Sequence, residues 1–300
     1  MSLPLSPPTA QAASIGDVAG RSVVLHYGDP VREYEALRSG AMLVNRGERL
    51  RLYADGVAAA ETIAGLVTND ITGLAVGEGC YACALTPKGR MIADVRVFAL
   101  GETRLLLDTS PRAAEGFAAM LRKYVNPRLA TLTDVSEELR DLGLFGVQSR
   151  RIVAELTGVP APTLQLLALY GHVAVEIDGR ALLVARVPDL GLEGYDLFGD
   201  AELLHELAVR ATALGATPTG LDAWTVARIE AGRPEWGLDV DDTTIPQEAN
   251  MDDLHAISYT KGCYTGQEVV ARVHFRGHVN RHLRGLRTTH EEPLPHGAQL

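Results

Sequence analysis

The sequence predicts an α+β protein, and three observations carry that reading. Strand-like and helix-like segments are mixed without strict strand–helix–strand alternation. Hairpin turns recur, as at Asp178-Gly179. Neither G-x-G-x-x-G nor G-x-x-x-x-G-K-[ST] is present, which argues against a doubly wound nucleotide-binding sheet. The 300 residues allow roughly two domains with an ample core. At 46% hydrophobic and 22% charged, the composition is that of an ordinary globular chain. The net charge of -10 disfavours a general nucleic-acid or membrane-surface binder.

The elements follow in order. Residues 1–20, rich in Pro, Ala and Ser, read as a disordered tail. Order is expected near Ser22, in a strand that Gly28-Asp29-Pro30 ends. Pro30 opens a helix through Ser39, and Gly40 stops it. Residues 49–53 alternate as a strand, and 57–66 are Ala-rich and helical. Strands at 80–86 and 91–100 flank the turn Pro87-Lys88-Gly89-Arg90, and a third covers 103–108. Pro111 opens a helix to about Tyr124. Strands at 128–133 and 139–145 precede a helix at 148–157, a hairpin over 171–187 and a strand over 191–198. Helices at 201–214 and 220–231 lead into an irregular segment, 232–258. The chain after Arg281 reads as extended, and 296–300 resemble the start of a strand that further sequence would complete.

The chemistry concentrates in Lys261-Gly262-Cys263-Tyr264-Thr265-Gly266-Gln267-Glu268, followed by Arg272. Gln267 to Arg272 suit a helix, with Glu268 and Arg272 at i and i+4. Cys263 would then precede a helix N-terminus, where unpaired N–H groups and the nearby Lys261 both favour a thiolate. A small apolar cysteine packed in a loop is the equal alternative. Residues 261–287 carry six Lys and Arg against Glu268 alone, a place to meet an anion or to pair with acidic neighbours.

Other constellations are weaker. Cys80 and Cys83 have C-x-x-C spacing inside a strand, so their side chains point to opposite faces and packing is the better reading. Three cysteines are too few for a disulfide scaffold, which fits a cytoplasmic protein. His274, His278 and His282 would share a face only on an unbroken helix, and no metal site is read there. Gly191-Leu-Glu-Gly-Tyr-Asp places Glu193 between glycines, as a surface turn or as an acceptor for the N–H donors of a flat heterocycle. No apolar run approaches the ~20 residues of a membrane span, and no secretory signal is read.

The 261–272 segment resembles the signature of the YgfZ family, folate-binding proteins related to the glycine cleavage T-protein, an aminomethyltransferase. Further segments resemble that group in the same order. They are Gly40 to Arg46, Leu66 to Ile71, Leu85-Thr-Pro-Lys-Gly-Arg-Met-Ile-Ala-Asp94, Gly191 to Asp196, Arg228 to Gly232 and Pro246-Gln-Glu248. The resemblance implies three lobes around a central folate cleft. It implies a folate-binding core over 21–280, built from two interleaved subdomains, and the start of a small C-terminal barrel at 281–300. Tetrahydrofolate or a derivative is the implied cofactor, with Glu193, Arg228, Asn69, Tyr81 and Asp94 as binding residues. Cys263 is the implied reactive thiol, with Lys261, Gln267, Glu268 and Arg272 supporting it. The implied role is accessory to iron–sulfur protein assembly or repair, and through iron–sulfur enzymes to tRNA modification; the alternatives are aminomethyl transfer using tetrahydrofolate and a non-catalytic RNA or protein adaptor working through the basic 261–287 segment. The implied partners are folate and iron–sulfur assembly proteins or client enzymes. Ala93 stands where T-proteins carry a second consecutive acid, which counts against aminomethyl transfer.

Overall fold

The computed structural model describes residues 13–286. It corrects the N-terminal expectation. Ser14–Val18 (β1) pairs antiparallel with Arg21–His26 (β2), so order begins inside the segment read as a tail. Ala19 and Gly20 both take positive φ, the conformation of a tight hairpin turn, and the Asp17 carboxylate accepts from the Gly20 N–H at 2.9 Å. The Pro- and Ser-rich composition conceals this short strand. Residues 1–12 lie outside the described residues.

One antiparallel sheet of five strands has the order β5-β6-β7-β4-β8. These strands are Gly79–Leu85 (β5), Met91–Gly101 (β6), Arg104–Thr109 (β7), Leu50–Asp55 (β4) and Thr131–Asp134 (β8). Ala59–Ala64 (α2) and Ala114–Tyr124 (α3) cover one of its faces. There Ile63, Phe117 and Leu121 pack on Val95, Val97, Leu105 and Leu107.

The second sheet has six strands. Its order is His172–Ile177 (β10), Arg180–Arg186 (β11), Gly194–Gly199 (β12), Arg140–Phe145 (β9), Ala41–Asn45 (β3) and Ala216–Thr219 (β13). All neighbours are antiparallel except β13 and β3, which run parallel with Ala216 opposite Ala41. Ser149–Thr157 (α4), Ala161–Leu166 (α5) and Ala201–Ala213 (α6) bury Ile152, Leu164 and Leu204 against its outer face.

The other faces of both sheets turn to a shared core of Tyr81, Phe98, Leu106, Phe145, Tyr170 and Phe198. Pro30–Ser39 (α1) and Leu221–Glu230 (α7) close one side of it with Leu37 and Trp224. Glu33 of α1 is buried, and its carboxylate accepts from the N–H groups of Tyr27 and Gly220 at 2.7 and 2.9 Å. A Cβ at Gly220 would stand 2.2 Å from the Leu25 carbonyl oxygen. Gly220→Ala therefore must push β2 away and is expected to cost about 1–3 kcal/mol, read from the urea midpoint.

After α7 the chain is irregular, as expected, apart from a 3-10 turn at Pro246–Ala249. Gln267–Arg276 (α8) then follows Gly266, which takes φ 84°. Gly277 ends α8, so His274, His278 and His282 do not share a helix. His274 instead stacks on Tyr259, with ring centroids 3.6 Å apart. Among the described residues no helix is long and apolar enough to cross a membrane. Residues 281–286 carry no regular secondary structure, and 287–300, where most of the expected barrel start falls, lie outside the described residues.

Candidate functional site

Along β6 the side chains alternate. Val95 and Val97 face the helices, whereas Asp94, Arg96 and Phe98 face the centre. The same parity on β5 places Tyr81 and Cys83 inward. A central cavity opens where these strands meet α7 and the 228–238 segment, with about 790 Å³ of space including its open mouth. Tyr81, Asp94, Arg46, Trp224, Arg228 and Arg233 are among its walls.

Tyr81 donates its hydroxyl to Asp94 Oδ2 at 2.9 Å. Burial pushes that phenol well above its usual range, which keeps it a donor. Asp94 Oδ1 is buried without a hydrogen-bond partner. The Arg233 guanidinium lies 5.0 Å above the Tyr81 ring, and that of Arg46 lies 3.8 Å above Trp224. Arg228 donates to Asp239 at 2.5 Å and approaches Glu235 at 3.3 Å. Asn69 does not line the cavity. Its amide group donates to the carbonyls of Tyr81 and His255, both at 2.8 Å, and so fixes the strand that carries Tyr81.

Continuous with the cavity wall, through Arg49, Arg96 and Asp189, lies a buried ionic network that a linear reading missed. Arg96 reaches Asp108 at 2.7 Å, Asp196 at 2.5 Å, Asp141 at 3.3 Å and Asp189 at 3.4 Å. Arg49 also holds Asp108, at 2.6 Å. Burial alone would raise the Asp108 carboxyl, but Arg49 and Arg96 outweigh it and hold Asp108 below the ordinary carboxylate range. Burial pushes Asp141 and Asp196 upward, and neighbouring carboxylates add to it, Asp196 for the first and Asp189 for the second.

This network changes the reading of the 191–196 segment. Glu193 is not a wall of the central cavity. Its carboxylate accepts from the Tyr195 hydroxyl at 2.8 Å and approaches Arg150 at 3.6 Å. Asp196, which precedes Phe198 on the inward face of β12, is the carboxylate that meets Arg96. Period-two alternation counted from Phe198 would have pointed to it.

The 261–276 segment is a platform on the first sheet. Lys261 Nζ donates to the carbonyls of Ala64, Val67 and Asn69 at 2.5, 2.9 and 2.8 Å. The charge expected to assist Cys263 is therefore committed to main-chain oxygens. Burial pushes the Lys261 ammonium down to about 8, against the pull of Asp70 and Cys80. Thr265 N–H donates to the Gly65 carbonyl at 3.1 Å. Gly266 approaches so closely that a Cβ would lie 2.7 Å from the Thr86 carbonyl oxygen. Cys263 is exposed, ahead of α8, and outside the cavity walls. Glu268 and Arg272 are exposed on α8, and Gln267 is half-buried at its first turn. Cys80 is half-buried and Cys83 is buried, both as free thiols that burial pushes upward.

The chain is similar to an aminomethyltransferase of Nostoc sp., with 26% identity over 293 residues, 96% of this chain and 77% of that relative. It is 27% identical over 280 residues to an aminomethyltransferase of Herpetosiphon aurantiacus, covering 93% of this chain and 76% of that one. Its fold matches the crystal structure of glycine cleavage system aminomethyltransferase T from Bartonella henselae with a TM-score of 0.78. That match has 22% identity and covers 89% of this chain and 72% of that one. The architecture is thus the T-protein-like α+β fold. Residues 8–258 match the GCVT N-terminal domain, and the chain belongs to that family.

Proposed function

We propose that the chain binds tetrahydrofolate in the central cavity and serves iron–sulfur protein assembly or repair, with Cys263 as its functional thiol. One observation carries the folate half. Asp94 stands in the cavity wall with Oδ2 held by Tyr81 and Oδ1 buried and unpaired. A buried carboxylate oxygen without a donor is costly until a ligand supplies an N–H, and a reduced pteridine is rich in them. Tyr81 and Trp224 add flat surfaces, and Arg228, which Asp239 and Glu235 hold in the wall, is the guanidinium placed to meet a ligand carboxylate. Tetrahydrofolate, when bound, would supply a carrier for one-carbon units. This chain's residues would orient it: Tyr81 fixes the Asp94 carboxylate, and Asn69 fixes the Tyr81 backbone.

The thiol half is supported by the exposure of Cys263 on a loop that Lys261 and Gly266 anchor. A sulfur outside the cavity walls suits a partner protein's surface better than a ligand enclosed in the cavity. Aminomethyl transfer is the second reading. The names of the relatives favour it, and Ala93 in place of an acid weighs against it.

Calorimetry with tetrahydrofolate tests the first half. Wild type and Glu193→Ala are expected to bind alike, and Asp94→Asn to bind at least tenfold more weakly. No binding by wild type would remove the folate reading. Cys263→Ala is expected to keep tetrahydrofolate affinity yet fail to support iron–sulfur enzyme activity in cells lacking the native protein. Full support by that variant would end the thiol's role. Turnover of an aminomethylated lipoyl carrier would instead establish the second reading.

A further inference from the structure

A second cavity lies between the β10–β11 hairpin and the first sheet, with about 730 Å³ of space including its mouth. Its walls include Tyr53, Leu100, Leu139, His172, Leu183 and Phe198. Among the described residues, Tyr53 and His172 are the only polar side chains in that lining.

His172 is 5% exposed, and its Nδ1 has no hydrogen-bond partner. Burial lowers the pKa of this imidazole, against hydrogen bonding to the main chain of Tyr170 and Ala99, and so favours the neutral ring. Phe98 meets it edge-on at 5.7 Å and limits its rotation. A buried water needs two to four polar partners to be held well, and this lining offers few. A largely apolar guest with one hydroxyl matches both the oily wall and the imidazole set in it. The hydroxyl can donate or accept, so it suits either neutral tautomer of the ring.

We propose that this second cavity binds a compact molecule of up to two fused rings carrying one hydroxyl group. The rings pack on Leu100, Leu183 and Phe198, and the hydroxyl bonds the His172 imidazole. The site is separate from the central cavity, although the two share a partition. Phe198 lines the second cavity, while the Arg96 guanidinium of the central one lies 6.0 Å from the Phe198 ring.

The test uses the whole chain with 2-naphthol as the probe, read by its own fluorescence. Saturable binding is expected with a Kd on the order of 0.1–1 mM for so small a ligand. Ala174→Trp introduces an indole at the cavity wall from an exposed position, and should weaken binding at least tenfold. His172→Phe should weaken 2-naphthol about tenfold and leave naphthalene unchanged. If that variant fails to fold, 2-methylnaphthalene, which can neither donate nor accept, reads the same contact on wild type and should bind about tenfold more weakly than 2-naphthol. Leu238→Trp, at the wall of the central cavity from an exposed position, should leave 2-naphthol binding unchanged. Absence of saturable binding, indifference to Ala174→Trp, or loss on Leu238→Trp overturns the site. Equal affinity for 2-naphthol and 2-methylnaphthalene overturns the role of His172.

Discussion

Asp108→Asn lowers the free energy of unfolding by about 3–5 kcal/mol, because it leaves Arg49 and Arg96 buried with a carboxylate missing between them. Asp141→Asn, only a few ångströms away across Arg96, leaves stability unchanged or raises it. The two acids differ in how the interior treats their charge. Asp108 is held ionised by two guanidiniums, whereas Asp141 is pushed well above the usual range by burial and by Asp196. Asparagine imitates the protonated state that the Asp141 site already prefers.

The pH dependence separates them with opposite signs. The Asp108 pKa is depressed on folding, so its contribution is present above the unfolded value of about 3.9 and is lost as the pH falls below it. The Asp141 pKa is raised, so the folded chain holds a proton that the unfolded chain releases above about 3.9. Its contribution is full in acid and declines as the pH rises toward the folded value. Asp141→Asn should flatten that decline, and Asp108→Asn should reduce the loss in acid. Urea midpoints across the pH range measure both. An Asp141→Asn protein as weak as Asp108→Asn at neutral pH would refute this division of charge.

Lys261→Met should detach the Cys263 loop at a cost of about 2–4 kcal/mol, because three carbonyls lose their donor together. Methionine keeps most of the apolar stem. The readout is hydrogen exchange at the amides of Thr265 and Ser258, which bond the carbonyls of Gly65 and Thr68 at 3.1 and 2.9 Å. Protection there should fall roughly 30- to 1000-fold while the central strands keep theirs. Unchanged protection at both amides would mean that Gly266 and its neighbours hold the platform without the ammonium.

Much of the fold is legible locally, because hairpins and caps announce themselves. Asp29-Pro30 sets the start of α1, and Pro87 to Arg90 and Asp178-Gly179 set two hairpins. Two of the missed elements carry conflicting signals. β13 contains Pro218, which argues against a strand, yet β13 is a sheet edge where a missing N–H does no harm. Helix α5 has Pro162 in its first turn and only six residues, too few for a visible period. The cavity was partly readable. Tyr81, Asp94 and Arg228 are in its walls, but the Arg96 network gathers acids from four different segments. No spacing rule links such residues. Only strand parity, applied to Asp196 and Phe198, could have moved attention from Glu193 to its neighbour.

The place of β3 has a consequence for synthesis on the ribosome. β3 is made early, but its partners arrive about 100 residues later at Phe145 and about 175 residues later at Ala216. Until then its buried segment Met42 to Val44 has no sheet to join. The five-stranded sheet, complete by Asp134, can form while the other still waits. Nascent chains stopped just short of Arg140, before β9 is made, should therefore be the ones that chaperones capture and proteases cut near β3.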